Sequence, residues 1–174
     1  MKTMKNILFL TILLLTLTAC GSGGGIATNP TQQNTVTMKF ATETSTAPYV
    51  AMLNGMSLTV HLPVGVTAPC TVTGLVGTLA VDETTAFSVT NQSFKFDITQ
   101  ADQSVAIAVG VFASLTCAVK AGYTLDKNVN FPKTTLFPAK TDLIILGNDT
   151  ATSSYIDLIT ANQLSVSVSD VSFN

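Results

Sequence analysis

Gly55-Met56-Ser57-Leu58-Thr59-Val60-His61-Leu62-Pro63 is the stretch that decides the fold class of this chain. Met56, Leu58, Val60 and Leu62 alternate with Ser57, Thr59 and His61. That period of two belongs to a strand with one buried and one wet face. Pro63 ends it. The same rhythm recurs outward in both directions. Val36, Met38 and Phe40 alternate with Thr35, Thr37 and Lys39. Val72–Val76 and Thr78–Val81 are shorter candidates split by Gly77. Ala86–Thr90 and Ser93–Ile98 read as a hairpin turning at Asn91-Gln92, with Phe94, Phe96 and Ile98 on one face. In Ser104–Val111 the valines and isoleucine, Val111 included, are expected to point inward, with small residues opposite. Leu115, Cys117 and Val119 alternate next, and Gly122 breaks the run. Leu143–Leu146 is a short apolar burst, Tyr155–Ile159 fits a strand or one helical turn, and Leu164, Val166 and Val168 open a final strand with a bulge at Ser169-Asp170.

No segment shows a helical period of usual length. Residues 131–141, with Pro132 and Pro138, read as a loop or an edge strand. About nine short strands at this spacing predict an all-β protein, a β-sandwich of jelly-roll type or a barrel. Composition agrees. Charged residues make up only 10 % of the 174 residues. Threonine and serine carry the polar surface, and threonine and valine favour strands. Arginine is absent, the formal charge is −2, and no basic patch able to neutralise phosphates stands out. A nucleic-acid partner is therefore not expected.

The first residues have a different character. Lys2 and Lys5 precede an apolar run of 11 residues, Ile7–Leu17, followed by Thr18-Ala19-Cys20. A membrane span needs roughly 20 apolar residues, so a secretory leader fits better. Leu17-Thr18-Ala19-Cys20 resembles the lipobox of bacterial lipoproteins. The resemblance implies a signal peptide over 1–19, cleavage before Cys20, and lipid on the sulfur and new amino group of Cys20. It places the protein in the bacterial envelope, with the lipid bilayer as a partner. In such proteins an Asp two positions after the anchoring Cys often retains them at the inner membrane; Ser22 stands there, which leans towards the outer membrane. Gly21–Gly25 and the polar run to Gln33 read as a linker, giving an anchor and linker over 20–33 and one domain over 34–174.

Two cysteines remain, Cys70 and Cys117. In an oxidising compartment an even pair is expected to bond. The bridge would close a loop of 48 residues and contribute about 4 kcal/mol by chain entropy. The alternative is two separate buried thiols.

Three segments, Gly55–Val66, Ser104–Gly110 and Ala113–Gly122, resemble in pattern and order the strands of cohesin-type modules. The resemblance covers about half of the domain and implies a nine-stranded jelly-roll sandwich related to carbohydrate-binding modules. It also implies recognition of a protein partner, through a largely polar sheet face. The Asp-Pro usual after the early strand is replaced here by Leu62-Pro63, and no contact residue carries over.

No catalytic constellation emerges. His61 is the sole histidine. One imidazole cannot fill a zinc site of three or four ligands, and an exposed strand position is the plainer reading. No Gly-x-Ser-x-Gly elbow is present. The carboxylates are dispersed over turns and strand ends. Gly147-Asn148-Asp149-Thr150 reads as an Asx-type turn rather than a Ca²⁺ loop. Neither a metal nor another cofactor is expected. Tyr49, Tyr123 and Tyr155 lie near loops or strand ends and are the candidate ligand-binding aromatics, suited to stacking on a sugar, or else plugs at the core's edge. The expectation is a binding module that recognises a protein, with polysaccharide binding as the alternative and a hydrolase as the reading of another class.

Overall fold

A computed structural model of the chain describes residues 32–44, 51–73, 79–81, 86–100, 110–149, 153–161 and 164–174. Cys20, Tyr49 and most of the strand expected over 104–111 lie outside these. The described body runs from Gln32 to Asn174. It is an all-β sandwich of two antiparallel sheets. The strands are β1 (Thr35–Thr44), β2 (Ala51–His61), β3 (Val66–Thr73), β4 (Leu79–Val81), β5 (Ala86–Ser88), β6 (Ser93–Gln100), β7 (Gly110–Val119), β8 (Leu143–Asp149), β9 (Ser154–Asp157) and β10 (Leu164–Phe173). One sheet has the order β10-β1-β7-β3; the other has β4-β6-β2-β8-β9, with β5 also paired to β6. Six of the nine steps between consecutive described strands therefore change sheet, as in a sandwich built on crossing connections.

Alternation places the core between the sheets. Met56, Leu58 and Val60 of β2 and Phe94, Phe96 and Ile98 of β6 face Val36, Met38 and Phe40 of β1 and Leu115 and Cys117 of β7. Phe40 lies at the centre, its ring 5.9 Å from Phe96, 6.5 Å from Phe112 and 6.0 Å from Phe137. Both of β1's neighbours slip register beside it. The β10 ladder skips Ser169, which is the bulge expected at Ser169-Asp170, and the β7 ladder skips Phe112. The second bulge turns two successive residues, Phe112 and Ala113, into the core and swings Val111 outward, 43 % exposed. The expectation of Val111 pointing inward fails for that reason, since one extra residue inverts the faces on one side of it.

Cys70 and Cys117 are bonded, as directly opposed residues of β3 and β7. β3 is an edge strand whose ladder skips Ala68 and Pro69, and such a break on an edge hinders pairing with another chain. Gly147, Asn148 and Asp149 correct another expectation. They form no turn but continue β8, paired with Ile156, Tyr155 and Ser154 of β9. Tyr155 is thus in a strand, and the turn comes after it. There Asp157 Oδ1 accepts from the Ile159 amide at 3.1 Å and Oδ2 from the Thr160 hydroxyl at 2.6 Å.

Between β7 and β8 the chain makes a strap over residues 120–142. It holds two single-turn helices, α1 (Lys127–Asn130) and α2 (Lys133–Leu136), and a 3-10 turn at Lys140–Asp142. Asp126 caps α1, accepting from the amides of Asn128 and Val129 at 2.8 and 3.1 Å. The strap runs along the flank where β10 lies opposite β8 and β9. Leu125, Phe131, Leu136 and Phe137 are its buried side chains in the core. Its start is tied to the domain's first residues: the Gln33 side chain donates to the Leu125 carbonyl at 2.9 Å and accepts from the Leu125 amide at 2.7 Å.

Candidate functional site: the outer face of the larger sheet

The outer face of β2 carries Gly55, Ser57, Thr59 and His61. On β6 the outward set is Lys95, Asp97 and Thr99, and Lys95 pairs with Asp97 at 3.7 Å. β8 breaks this polar background. It begins with four apolar residues in a row, and alternation can bury only two. Leu143 and Ile145 take the inner positions, so Ile144 and Leu146 face solvent at 37 % and 43 % exposure. Ile144 pairs with Ser57 and Leu146 with Gly55. On β9, Tyr155 pairs with Asn148 and is 63 % exposed. It therefore sits diagonal to Leu146, within reach of it for an aromatic side chain. Ile144, Leu146 and Tyr155 form a continuous apolar strip on an otherwise hydroxyl-rich face.

At one end of the strip β2 bulges at Asn54, between the pairs Leu53–Gly147 and Gly55–Leu146. The Oδ1 atoms of Asn54 and Asn148 are buried there without a hydrogen-bond partner. An unmet buried acceptor costs about 1–3 kcal/mol, which a donor reaching it recovers.

At the other end of β2, His61 Nε2 lies 3.3 Å from Asp142 Oδ1, and Asp142 Oδ2 accepts from the Ala139 amide at 2.7 Å. His61 is thus half-buried and partnered, not the plainly exposed strand residue expected. The partner comes from the strap, 81 positions away, a proximity no local pattern signals. Ser93 opposes His61 across the β2–β6 ladder but is itself buried. The His61–Asp142 contact ties the 3-10 turn to β2 directly before β8 begins at Leu143. Among the described residues no group of three His, Cys, Asp or Glu side chains converges as a metal-binding cluster.

The outer face of the smaller sheet offers a contrast. Thr71, Thr116, Thr37 and Ser172 stand side by side across all four strands, and the Thr37 and Thr116 hydroxyls are 2.9 Å apart. No large apolar group interrupts that row.

Tyr123 and Tyr155, the two candidate tyrosines among the described residues, do not share a site. Tyr123 packs over Gly65 in the β2–β3 turn; a Cβ on Gly65 would lie 2.5 Å from the Tyr123 ring, and Gly65 has φ +105°. Tyr155 is level with Met52 through Asn148. Nine residues of β2 separate those levels, roughly 30 Å at about 3.3 Å per residue. Of these two, Tyr155 joins the apolar strip and Tyr123 does not. Ile144 and Leu146 were hidden in the sequence because an unbroken apolar run has no alternation to read; its length, four residues in a sandwich strand, is the signal that two must face out.

No family model matches this chain. Neither a curated protein nor a solved structure shows significant similarity to it.

Proposed function

We propose that this protein is a non-catalytic recognition module of the bacterial envelope, tethered through Cys20 and holding a protein partner on the outer face of the larger sheet. The observation that carries this reading is the strip of Ile144, Leu146 and Tyr155. Solvent-facing aliphatic pairs beside an aromatic, rimmed by Ser57 and Thr59, suit a protein surface that covers them. The lipobox-like Leu17–Cys20 supports the tether, and the outer membrane is its proposed place. The likeness of Gly55–Val66 and Ala113–Gly122 to cohesin-type strands, together with the sandwich fold, supports protein recognition through a sheet face.

The test is capture by the full-length protein from an extract of its own cell envelope, with the retained protein identified and its binding then measured pairwise. Ile144→Lys with Leu146→Lys should weaken that pairwise affinity about 10-fold to 100-fold, as expected for loss of an interface centre. Thr71→Lys, on the opposite face, should leave it unchanged. Equal affinity in all three proteins would remove the larger sheet's face from recognition.

A polysaccharide ligand is the second reading. Tyr155 beside the donor-poor oxygens of Asn54 and Asn148 favours it, because a sugar brings hydroxyl donors and a stacking face together. Glycan binding abolished by Tyr155→Ala would select it over the first.

A further inference from the structure

Lysines are few in the domain and unevenly placed. Residues 32–174 contain six, and four of them, Lys120, Lys127, Lys133 and Lys140, lie on the strap. Two carboxylates, Asp126 and Asp142, share the strap with them; Asp126 caps α1, and Asp142 partners His61 and accepts from the Ala139 amide. The remaining eight carboxylates of the domain are accompanied by only two lysines, Lys39 and Lys95, which pair with Asp170 and Asp97. The strap lysines are exposed, and none is in an ion pair with a described residue. The sequence-wide average, with acids in excess, conceals this segregation.

Three of these lysines border two shallow grooves beside β10. Lys127 rims one of about 230 Å³ with Phe131 and Val171; Lys133 and Lys140 rim another of about 210 Å³ with Phe137 and Val166. Asp170 also lines the first groove, already paired with Lys39 at 3.4 Å. The strap exposes Tyr123 and Val129 as well, at 41 % and 73 %. Gln33, where the chain enters the domain, is bonded to the strap at Leu125. Thirteen residues, Cys20–Gln32, precede it, and fully extended they span at most roughly 45 Å.

We propose that the strap is the face this domain lays against an anionic bilayer, its lysines meeting lipid phosphates and Tyr123 and Val129 entering the headgroup layer. The proposal rests on the anchoring of Cys20. An anchor within that reach raises the local concentration of headgroups at the strap, so weak individual contacts add up. A basic surface beside a lipid anchor adds electrostatic attraction to anionic headgroups and so favours one face of the domain over the others. Lysine stems lie along apolar surface while their ammonium groups reach phosphate, and tyrosine suits the interface. The rest of the domain, rich in carboxylates, is repelled by the same surface, which fixes the orientation.

The test uses the full-length protein purified from membranes and bound to vesicles of neutral phosphatidylcholine or of phosphatidylcholine with phosphatidylglycerol. Each lysine's rate of acylation by a water-soluble amine reagent is read by mass spectrometry. On anionic vesicles the strap lysines should react about fivefold more slowly, while Lys95, on the outer face of the larger sheet, acts as the unchanged internal control. In 1 M salt, where the screening length is about 3 Å, the protection should disappear. Substituting K127Q, K133Q and K140Q together should leave Lys120 equally reactive on both vesicles. Equal strap rates on the two vesicles, or protection that survives salt, would overturn the docking while leaving the anchor intact. Protection without vesicles that grows with protein concentration would assign the strap to the acidic surface of a second copy, and also overturn it. Protein retained by neither vesicle would overturn the anchor, and the docking with it.

Discussion

The strands at the sandwich's two long flanks are held by different physics. On one, β3 approaches β5, and β3 is fixed within its own sheet: Cys70 on this edge strand is bonded to Cys117 on its neighbour β7. On the other, the first amide of β10, Leu164, donates to the carbonyl of Leu158 just after β9 at 3.2 Å, and the strap fills the seam. Leu136 there is fully buried, and the ring of Phe131 lies 5.9 Å from that of Phe173 at the end of β10. A disulfide stabilises chiefly by restricting the unfolded chain, whereas apolar plugs act by leaving water in the folded one. The difference separates the flanks in role: the disulfide fixes an edge strand without adding chain, while the plugged flank brings 23 residues of chain, four lysines among them, to the outside of the molecule.

The sharpest way to break this comparison is to empty the strap. Phe131→Ala together with Leu136→Ala should cost about 5–10 kcal/mol, since each deletes a core side chain and leaves a cavity. That is comparable to the whole stability of a small domain. Circular dichroism should show a chain largely unfolded at room temperature, and Phe131→Ala alone should lower the guanidinium midpoint strongly. A double variant that still unfolds cooperatively near the wild-type midpoint would mean that the strap merely lies over a core complete without it.

Cutting the other flank should be milder. Cys70→Ala with Cys117→Ala should lower stability by about 4 kcal/mol for a separation of 47 residues. The strands should remain, because Val72 still opposes Leu115 and Val66 still opposes Val119 beside the lost bridge. Denaturant unfolding of the double variant against the oxidised wild type measures it. A loss under about 1 kcal/mol would show that this flank, too, is held by packing, since a closed loop of that length should contribute far more.

The two flanks also differ in how far they can be read from the residues. The disulfide is the pairing expected of two cysteines once the first residues are read as a secretory leader. Strands β1, β2, β6 and β10 follow from alternation, and so does the Ser169 bulge. The strap follows from nothing local. Leu125, Phe131, Leu136 and Phe137 recur with neither a period of two nor of 3.6, and Pro132 and Pro138 make the segment look like surface loop. These residues are buried because two sheets leave an open seam, which is a property of the assembled sandwich. The same holds for the candidate site. Tyr155 was visible as an isolated aromatic, but its neighbours Ile144 and Leu146 became surface only when β8 took its register against β2. His61 found Asp142 only when the strap returned to the sheet.

The smallest expected effect lies on the strap flank and tests whether charge contributes to closing it. Lys39 and Asp170 are 3.4 Å apart where β10 bulges, their side chains 46 % and 50 % exposed. A pair so open to water is screened, and ordering two flexible side chains offsets part of its attraction. The bulge has other support: the Ser169 hydroxyl donates to the Lys39 carbonyl at 3.3 Å, and Val168 and Val171 pack against the core on either side. A double-mutant cycle with Lys39→Ala and Asp170→Ala should therefore give a coupling of about 0.2–1 kcal/mol that vanishes in high salt. A coupling above about 2 kcal/mol would place electrostatics alongside Phe131 and Leu136 in holding this flank. It would also bind Asp170 to the sheet's own charge rather than leave it near Lys127, and so sharpen the case that the strap's lysines are unclaimed within the molecule.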